Sequence, residues 1–271
     1  MTTLHAAALA HRFDIEVDDE PAAEHLAFVL TDLLTDAAGD STYRLTHTDG
    51  WFDLTFREEA VASRTTRGHA IAMLLWHINQ ETVRRSSPGS VLLHAAAAGR
   101  DGVGVVLPAP MEHGKTTTVT GLLRKGYAYV TDEAVAVDLD DLRATAFPKA
   151  LSLDKGSWPV FPDLKPDMVL TENQWQVPAS SFGNVASEPV PLRFVVSPRY
   201  RLGATTQLVP VSRGRMLMTL AECCFEFKER VERNLTVLGR LVADAECFDL
   251  EIGDLDRAVE LIDGLLDGRA A

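Results

Sequence analysis

Residues Val103–Asp138 read V-G-V-V-L-P-A-P-M-E-H-G-K-T-T-T-V-T-G-L-L-R-K-G-Y-A-Y-V-T-D-E-A-V-A-V-D. The apolar run from Val103 to Leu107 predicts a strand. Pro108 and Pro110 each lack an N–H and fix φ, so a loop must follow. Gly114-Lys115-Thr116 then open a helix. Backbone N–H groups at a helix N-terminus attract phosphate oxygens, and the helix dipole adds to the attraction. At such a loop Lys115 would reach the outer phosphates of a nucleoside triphosphate, and the Thr116 hydroxyl would hold Mg²⁺. Tyr127 to Val130 predicts a short second strand that delivers Asp132 and Glu133 at its end. A carboxylate beside a phosphate loop serves as a second metal ligand or as a general base.

The loop departs from the G-x-x-x-x-G-K-[ST] pattern. Ala109 stands where the first Gly belongs, and the interior residues Pro110, Met111, Glu112 and His113 include no small one. Glu112 also brings a negative charge towards the phosphates. Two blander readings therefore stay open: a βαβ unit with an incidental Gly-Lys, and an Asp132-Glu133 pair that is a solvated strand end. His113 and Glu112 could contact each other instead of a ligand.

The surrounding chain sets the context. Its 271 residues and 46% hydrophobic content suit one large domain or two small ones, each with a real core. Acidic residues outnumber basic ones 39 to 26, and a net charge of −13 argues against nucleic acid or an anionic membrane as partner. No apolar run is long enough to span a membrane, and the start M-T-T-L-H-A-A-A-L-A-H-R has no signal-like build. A cytoplasmic protein is expected. Cys223, Cys224 and Cys247 make an odd set without C-x-x-C spacing, so buried thiols are expected.

Before the phosphate loop, His11 to Val17 reads as a strand and Pro21 to Leu34 as a helix capped by Asp18 or Asp19. Thr48-Asp49-Gly50 is a hairpin signal between Tyr43 and Phe56, and a long helix runs from Thr66 to Arg84. Ser86-Ser87-Pro88-Gly89-Ser90 is the domain boundary. Beyond it, Val91 to Ala98 and Val103 to Leu107 form a hairpin around Gly99–Gly102. His94 lies within the first of these runs, an odd place for a polar side chain without a partner.

After the Asp-Glu pair, Ala134 to Leu139 continues as a strand. Ala146 to Pro162 reads as irregular, with Lys149 and Lys155 standing out as phosphate-neutralising or surface cations. Asp163 to Pro191 is a candidate lid. Strands are expected at Leu192 to Val196, Thr205 to Val211 and Cys247 to Ile252. Helices are expected at Met216 to Phe225, Val231 to Val242 and Leu255 to Leu266, the last capped by Asp254 and ended by Gly268.

His94, the Gly114-Lys115-Thr116 loop and the run R-K-G-Y-A-Y-V-T-D-E, Arg124 to Glu133, together resemble the HPr kinase/phosphorylase superfamily. The likeness is greatest to the bacterial HPr-kinase-like proteins encoded with peptide or natural-product biosynthesis enzymes. Their P-F-P-K-x-L-S-L-x-x-G-S-W stretch is similar to Phe147–Trp158, and their G-D-L-D-x-A-V end to Gly253–Val259. The resemblance covers Val91 to Leu266. It implies an α/β fold: a P-loop domain, residues 89–271, with a central mixed sheet flanked by helices, after a small α+β layer, residues 1–88.

It also implies an ATP- and Mg²⁺-dependent kinase whose acceptor is a hydroxyl of a peptide, protein or small molecule. Carried over by position, Pro110, Met111, Glu112, His113, Gly114, Lys115, Thr116 and Thr117 surround the nucleotide. Thr117 stands where HPr kinases carry a Glu. Lys115 binds the β- and γ-phosphates, Thr116 and Glu133 hold the metal, Asp132 is the general base, and His94 orients it or contacts phosphate. The departures at Ala109 to His113 leave a second reading, a nucleotide-binding or regulatory module that has lost catalysis. The oligomeric state stays open, with a homo-oligomer among the options.

Overall fold

The computed structural model describes residues 1–169 and 172–268. In chain order, β1 (Thr2–Ala8), β2 (His11–Val17), α1 (Glu20–Val29), β3 (Thr42–Thr48), β4 (Trp51–Phe56), β5 (Glu59–Thr65) and α2 (Arg67–Ser86) come first. Next are β6 (Ser90–Arg100), β7 (Val103–Pro108), α3 (Lys115–Arg124), β8 (Ala128–Thr131), β9 (Ala134–Asp138) and β10 (Arg143–Thr145). After the short strands β11 (Leu151–Asp154) and β12 (Gln174–Val177) come β13 (Val190–Tyr200) and β14 (Gln207–Pro210). The chain then runs through α4 (Arg213–Glu222), α5 (Val231–Asp244), β15 (Glu246–Ile252) and α6 (Leu255–Leu266). The content is mixed α/β, with several sheets. Among the described residues no helix is long and apolar enough to cross a membrane.

The chain divides into two compact units, Met1–Ser86 with Pro148–Ser181, and Ser87–Phe147 with Phe182–Ala271. The first break falls in the Ser86–Ser90 breaker cluster. The 148–181 segment groups with the N-terminal unit, whereas the sequence assigned all of 89–271 to one domain.

In the first unit a five-stranded sheet runs β1-β2-β3-β4-β5, antiparallel except for β2 and β3, which are parallel and joined through α1. Asp49 and Gly50 both take positive φ, 51° and 81°. Two such residues in succession make the hairpin turn whose twist matches its strands. Phe13, Ile15, Tyr43, Leu45 and Leu54 from the sheet are buried, as are Leu26 of α1 and Ile71 and Leu74 of α2. Asp19 caps α1 by accepting from the Ala22 N–H at 2.9 Å. The helix stops at Val29, short of the expected Leu34. There the Thr31 hydroxyl donates to the carbonyls of Ala27 and Phe28, and Thr31–Leu33 tightens into a 3₁₀ turn. β11 and β12 pair antiparallel within the 148–181 segment, and Trp158 stacks on Trp175 at 4.6 Å.

The second unit holds an eight-stranded mixed sheet ordered β10-β9-β6-β7-β13-β15-β14, with β8 also on β6. β7, β13 and β15 are mutually parallel, so their carboxyl ends share one edge of the sheet. β6 turns into β7 through Asp101 and Gly102, again both at positive φ. Val91, Leu93, Ala95 and Ala97 of β6 pack in one cluster with Met216 and Leu220 of α4 and Val237, Leu238 and Leu241 of α5. Alternate residues of a strand share a face, which accounts for the odd numbers. α3 packs on β6 and against α6. Residues 184–186, within the expected lid, pair with Tyr129: its N–H donates to Asn184 O and its carbonyl accepts from the Ala186 N–H, both at 2.9 Å.

Gly253, between β15 and α6, has no room for a side chain, because a Cβ there would overlap the carbonyl of Ala204. Gly253→Ala is expected to destabilise the fold by about 1–3 kcal/mol, read as a lower urea midpoint at unchanged m-value. An unchanged midpoint would show that the 201–206 loop yields freely.

Candidate functional site

β7 ends at Pro108, and residues 109–114 lead into α3. The left-handed positions in this loop are Glu112, φ 62°, and Gly114, φ 91°. Ala109 is not one of them, so the missing glycine costs no backbone strain. Ala109 is fully buried, while Pro110, Met111 and Glu112 face solvent. His113 does not turn to Glu112 for a bond; its Nδ1 lies 3.0 Å from Met111 O. The carbonyl of His113 accepts from the Tyr200 N–H at 3.2 Å, which ties the loop to the end of β13.

Gly114 is the N-cap of α3 and supplies no side-chain acceptor to the first turn. That turn contains Lys115, Thr116 and Thr117, and no acid. The first N–H groups of an α-helix lack intrahelical partners, so an anion can serve as their acceptor. The Thr118 hydroxyl and N–H both donate to Gly114 O, at 2.8 and 2.9 Å, which fixes how the helix starts.

Lys115 is 6% exposed, and its Nζ donates to the carbonyls of Ala109 and Pro110, each at 2.8 Å. Burial lowers its pKa, opposed by the nearby Cys223, Glu133 and Asp132. The ammonium is thus folded back on its own loop within the influence of two carboxylates.

Asp132 is 4% exposed at the end of β8. Its Oδ2 accepts from the Thr116 hydroxyl at 3.1 Å and its Oδ1 from the Tyr129 hydroxyl at 2.8 Å. Burial, with the Asp132 charge behind it, pushes the Tyr129 phenol far above its usual range, so it remains a donor. Glu133 is partly exposed, and its N–H donates to Thr131 Oγ1 at 3.2 Å.

His94 sits on β6, and its N–H donates to Cys223 O at 2.7 Å. Burial, helped by the Lys115 charge and opposed by Asp132, lowers its pKa to about 4. At neutral pH it is an uncharged imidazole beside Lys115 and Asp132.

The fold therefore brings His94, Lys115, Thr116, Asp132 and Glu133 together. Among the described residues no group of three or more His, Cys, Asp or Glu is placed to hold a metal ion. The Thr116 hydroxyl and the Glu133 carboxylate are oxygen donors of the kind that suits Mg²⁺, while Asp132 already accepts from two hydroxyls. That ion is commonly held by one or two carboxylates together with substrate phosphates.

Lys149 and Lys155 belong to the first unit. Lys149 is buried, with its Nζ 3.0 Å from Ala150 O and 3.2 Å from Ser152 Oγ, and Lys155 lies over the Trp158 ring at 5.9 Å. Two participants escaped the sequence reading. Tyr129 passed as an ordinary strand residue, although a Tyr three positions before the Asp was a visible cue. Cys223 comes from the end of α4, and no local pattern links it to β6.

No protein-family model matches the chain, and no curated protein matches it.

Proposed function

We propose that the second unit binds a nucleoside triphosphate with Mg²⁺ at the 109–117 loop and transfers its terminal phosphoryl group to a hydroxyl. The observation that carries this reading is the Thr116–Asp132 hydrogen bond beside the buried Lys115. It joins a hydroxyl at a helix N-terminus to a carboxylate at a neighbouring strand end, around one lysine.

Lys115 must release the carbonyls of Ala109 and Pro110 to meet the β- and γ-phosphates. Thr116 and Glu133 would hold Mg²⁺ through a hydroxyl and a carboxylate oxygen. The metal supplies charge neutralisation on the phosphates when bound. Asp132 takes the proton from the acceptor hydroxyl, whose oxygen bonds to the γ-phosphorus as the bond to the β,γ-bridging oxygen breaks. A nucleoside diphosphate and a phosphate ester are the products. Neutral His94, close enough to feel the charges of Lys115 and Asp132, orients Asp132 or contacts the phosphate. The acceptor class is a Ser of a peptide or protein, or a small hydroxylated molecule.

A second reading has its own support. Both Asp132 oxygens already accept hydroxyls and Lys115 is engaged by its own loop, which also suits a binding module without catalysis.

Nucleotide binding tests both. With Mg²⁺ and ATP at about a hundred times Kd, stability is expected to rise by about 2.7 kcal/mol, seen as a higher melting temperature. No shift with any nucleoside triphosphate would remove both readings.

A further inference from the structure

The parallel strands β7, β13 and β15 end at Pro108, Tyr200 and Ile252 along one edge of the sheet. In α/β sheets ligands lie outside the carboxyl ends of parallel strands. The phosphate loop follows β7. Beside it, β13 finishes in Tyr200, whose N–H holds His113 O. The two backbones are close: a Cβ on Gly114 would stand 3.5 Å from the Tyr200 Cβ. Yet Tyr200 is 52% exposed, and Leu202 two residues on is 85% exposed.

The chain after Tyr200 is fixed. The Arg201 N–H donates to Ile252 O at 2.9 Å. Thr206 Oγ1 accepts from the N–H groups of Gly253 and Asp254 at 3.0 and 2.8 Å. The tight contact of Gly253 with Ala204 leaves that loop little freedom. An aromatic side chain on a rigid mount, exposed beside a phosphate loop, is a surface with few degrees of freedom left to lose.

We propose that Tyr200 is the platform on which the nucleobase of the bound triphosphate stacks. The inference rests on the nucleotide reading above. It goes further in naming what recognises the base and how selectively. Every base has a π-face, so stacking tolerates any of them. The site is then selective for a base-bearing triphosphate over an inorganic polyphosphate, but not for adenine over guanine.

The test is calorimetric titration of the full chain, with Mg²⁺, by ATP, GTP and inorganic tripolyphosphate. ATP and GTP are expected to bind within about threefold of each other, both more tightly than tripolyphosphate. Tyr200→Ala is expected to weaken ATP and GTP about tenfold and leave tripolyphosphate unchanged, whereas Tyr200→Phe keeps wild-type affinity. Equal affinity of the wild type for ATP and tripolyphosphate, or a Tyr200→Ala change that leaves their ratio constant, overturns the platform alone. Failure of the wild type to bind any of the three overturns the nucleotide reading and the platform with it.

Discussion

Asp132→Asn is expected to lower phosphoryl transfer about a thousandfold, the scale of a lost general base, while nucleotide still binds. Asp132 uses both oxygens, one for the Thr116 hydroxyl and one for the Tyr129 hydroxyl. An Asn keeps one acceptor and turns the other into an NH₂ donor, so one hydroxyl then faces a donor. One of the two negative charges near Lys115 also disappears. The measurement is transfer of labelled phosphate from ATP to a Ser peptide or hydroxylated metabolite, alongside ATP affinity. A variant as active as the wild type would remove Asp132 as the base. A wild type that binds ATP and transfers nothing to water or any acceptor would leave the binding-module reading. The buried Tyr129 hydroxyl, if it loses its acceptor, costs about 1–3 kcal/mol, so melting of the variant must be followed to separate lost chemistry from lost fold.

The candidate site was legible where its parts are local. Gly114-Lys115-Thr116 and Asp132-Glu133 lie in one strand–loop–helix–strand run, and the punctuation by Pro108, Pro110 and Gly126 marks each element. His94 was legible for another reason: a polar residue inside an apolar strand must be explained. What stayed hidden depends on contacts between distant segments. Cys223 reaches β6 only because residues 223–225 pair with Leu92–His94 where β7 has already left the sheet. Tyr200 sits at a strand end whose neighbour is fixed by the parallel β7–β13 pairing, and no local pattern encodes that pairing.

The same division holds for the fold. The closing helix Leu255–Leu266 matches its expected bounds, because the Asp254 cap and the amphipathic stripe are both local. β1 and β5 escaped. β1 is mostly alanine, threonine and histidine, and β5 shows only a partly buried, weakly alternating pattern. β11 and β12 escaped because each has only four residues and finds its partner across the intervening loop. Lys149, a cation that stands out in an acidic chain, donates to Ala150 O and Ser152 Oγ within its own segment, contacts that no local pattern encodes.

The first unit is expected to lose stability steeply as pH falls from about 6.5 towards 4. His11 on β2 is fully buried, with its ring nitrogens 3.4 Å from Ser41 Oγ and 3.5 Å from Thr82 Oγ1 and its face against Phe13. Burial, helped by Arg85 and opposed by Glu81 and Asp40, lowers its pKa to about 4. Burial lowers His25 and His77 as well. The sign follows from proton counting. Between the two pKa values the unfolded chain binds a proton that the folded chain refuses, so acid favours unfolding. The stabilisation is complete above about pH 6.5 and gone below about pH 4. His11 alone accounts for about 2 kcal/mol between pH 7 and pH 5, with His25 and His77 adding in the same direction. Trp51, Trp76, Trp158 and Trp175 all belong to the first unit, so tryptophan fluorescence follows its urea unfolding. His11→Gln removes the titrating group while keeping a polar side chain, and the pH slope should flatten even if the variant is less stable throughout. An unchanged slope in that variant would clear His11 and shift the acid sensitivity to His25 and His77, where His25 Nε2 is buried with no hydrogen-bond partner among the described residues.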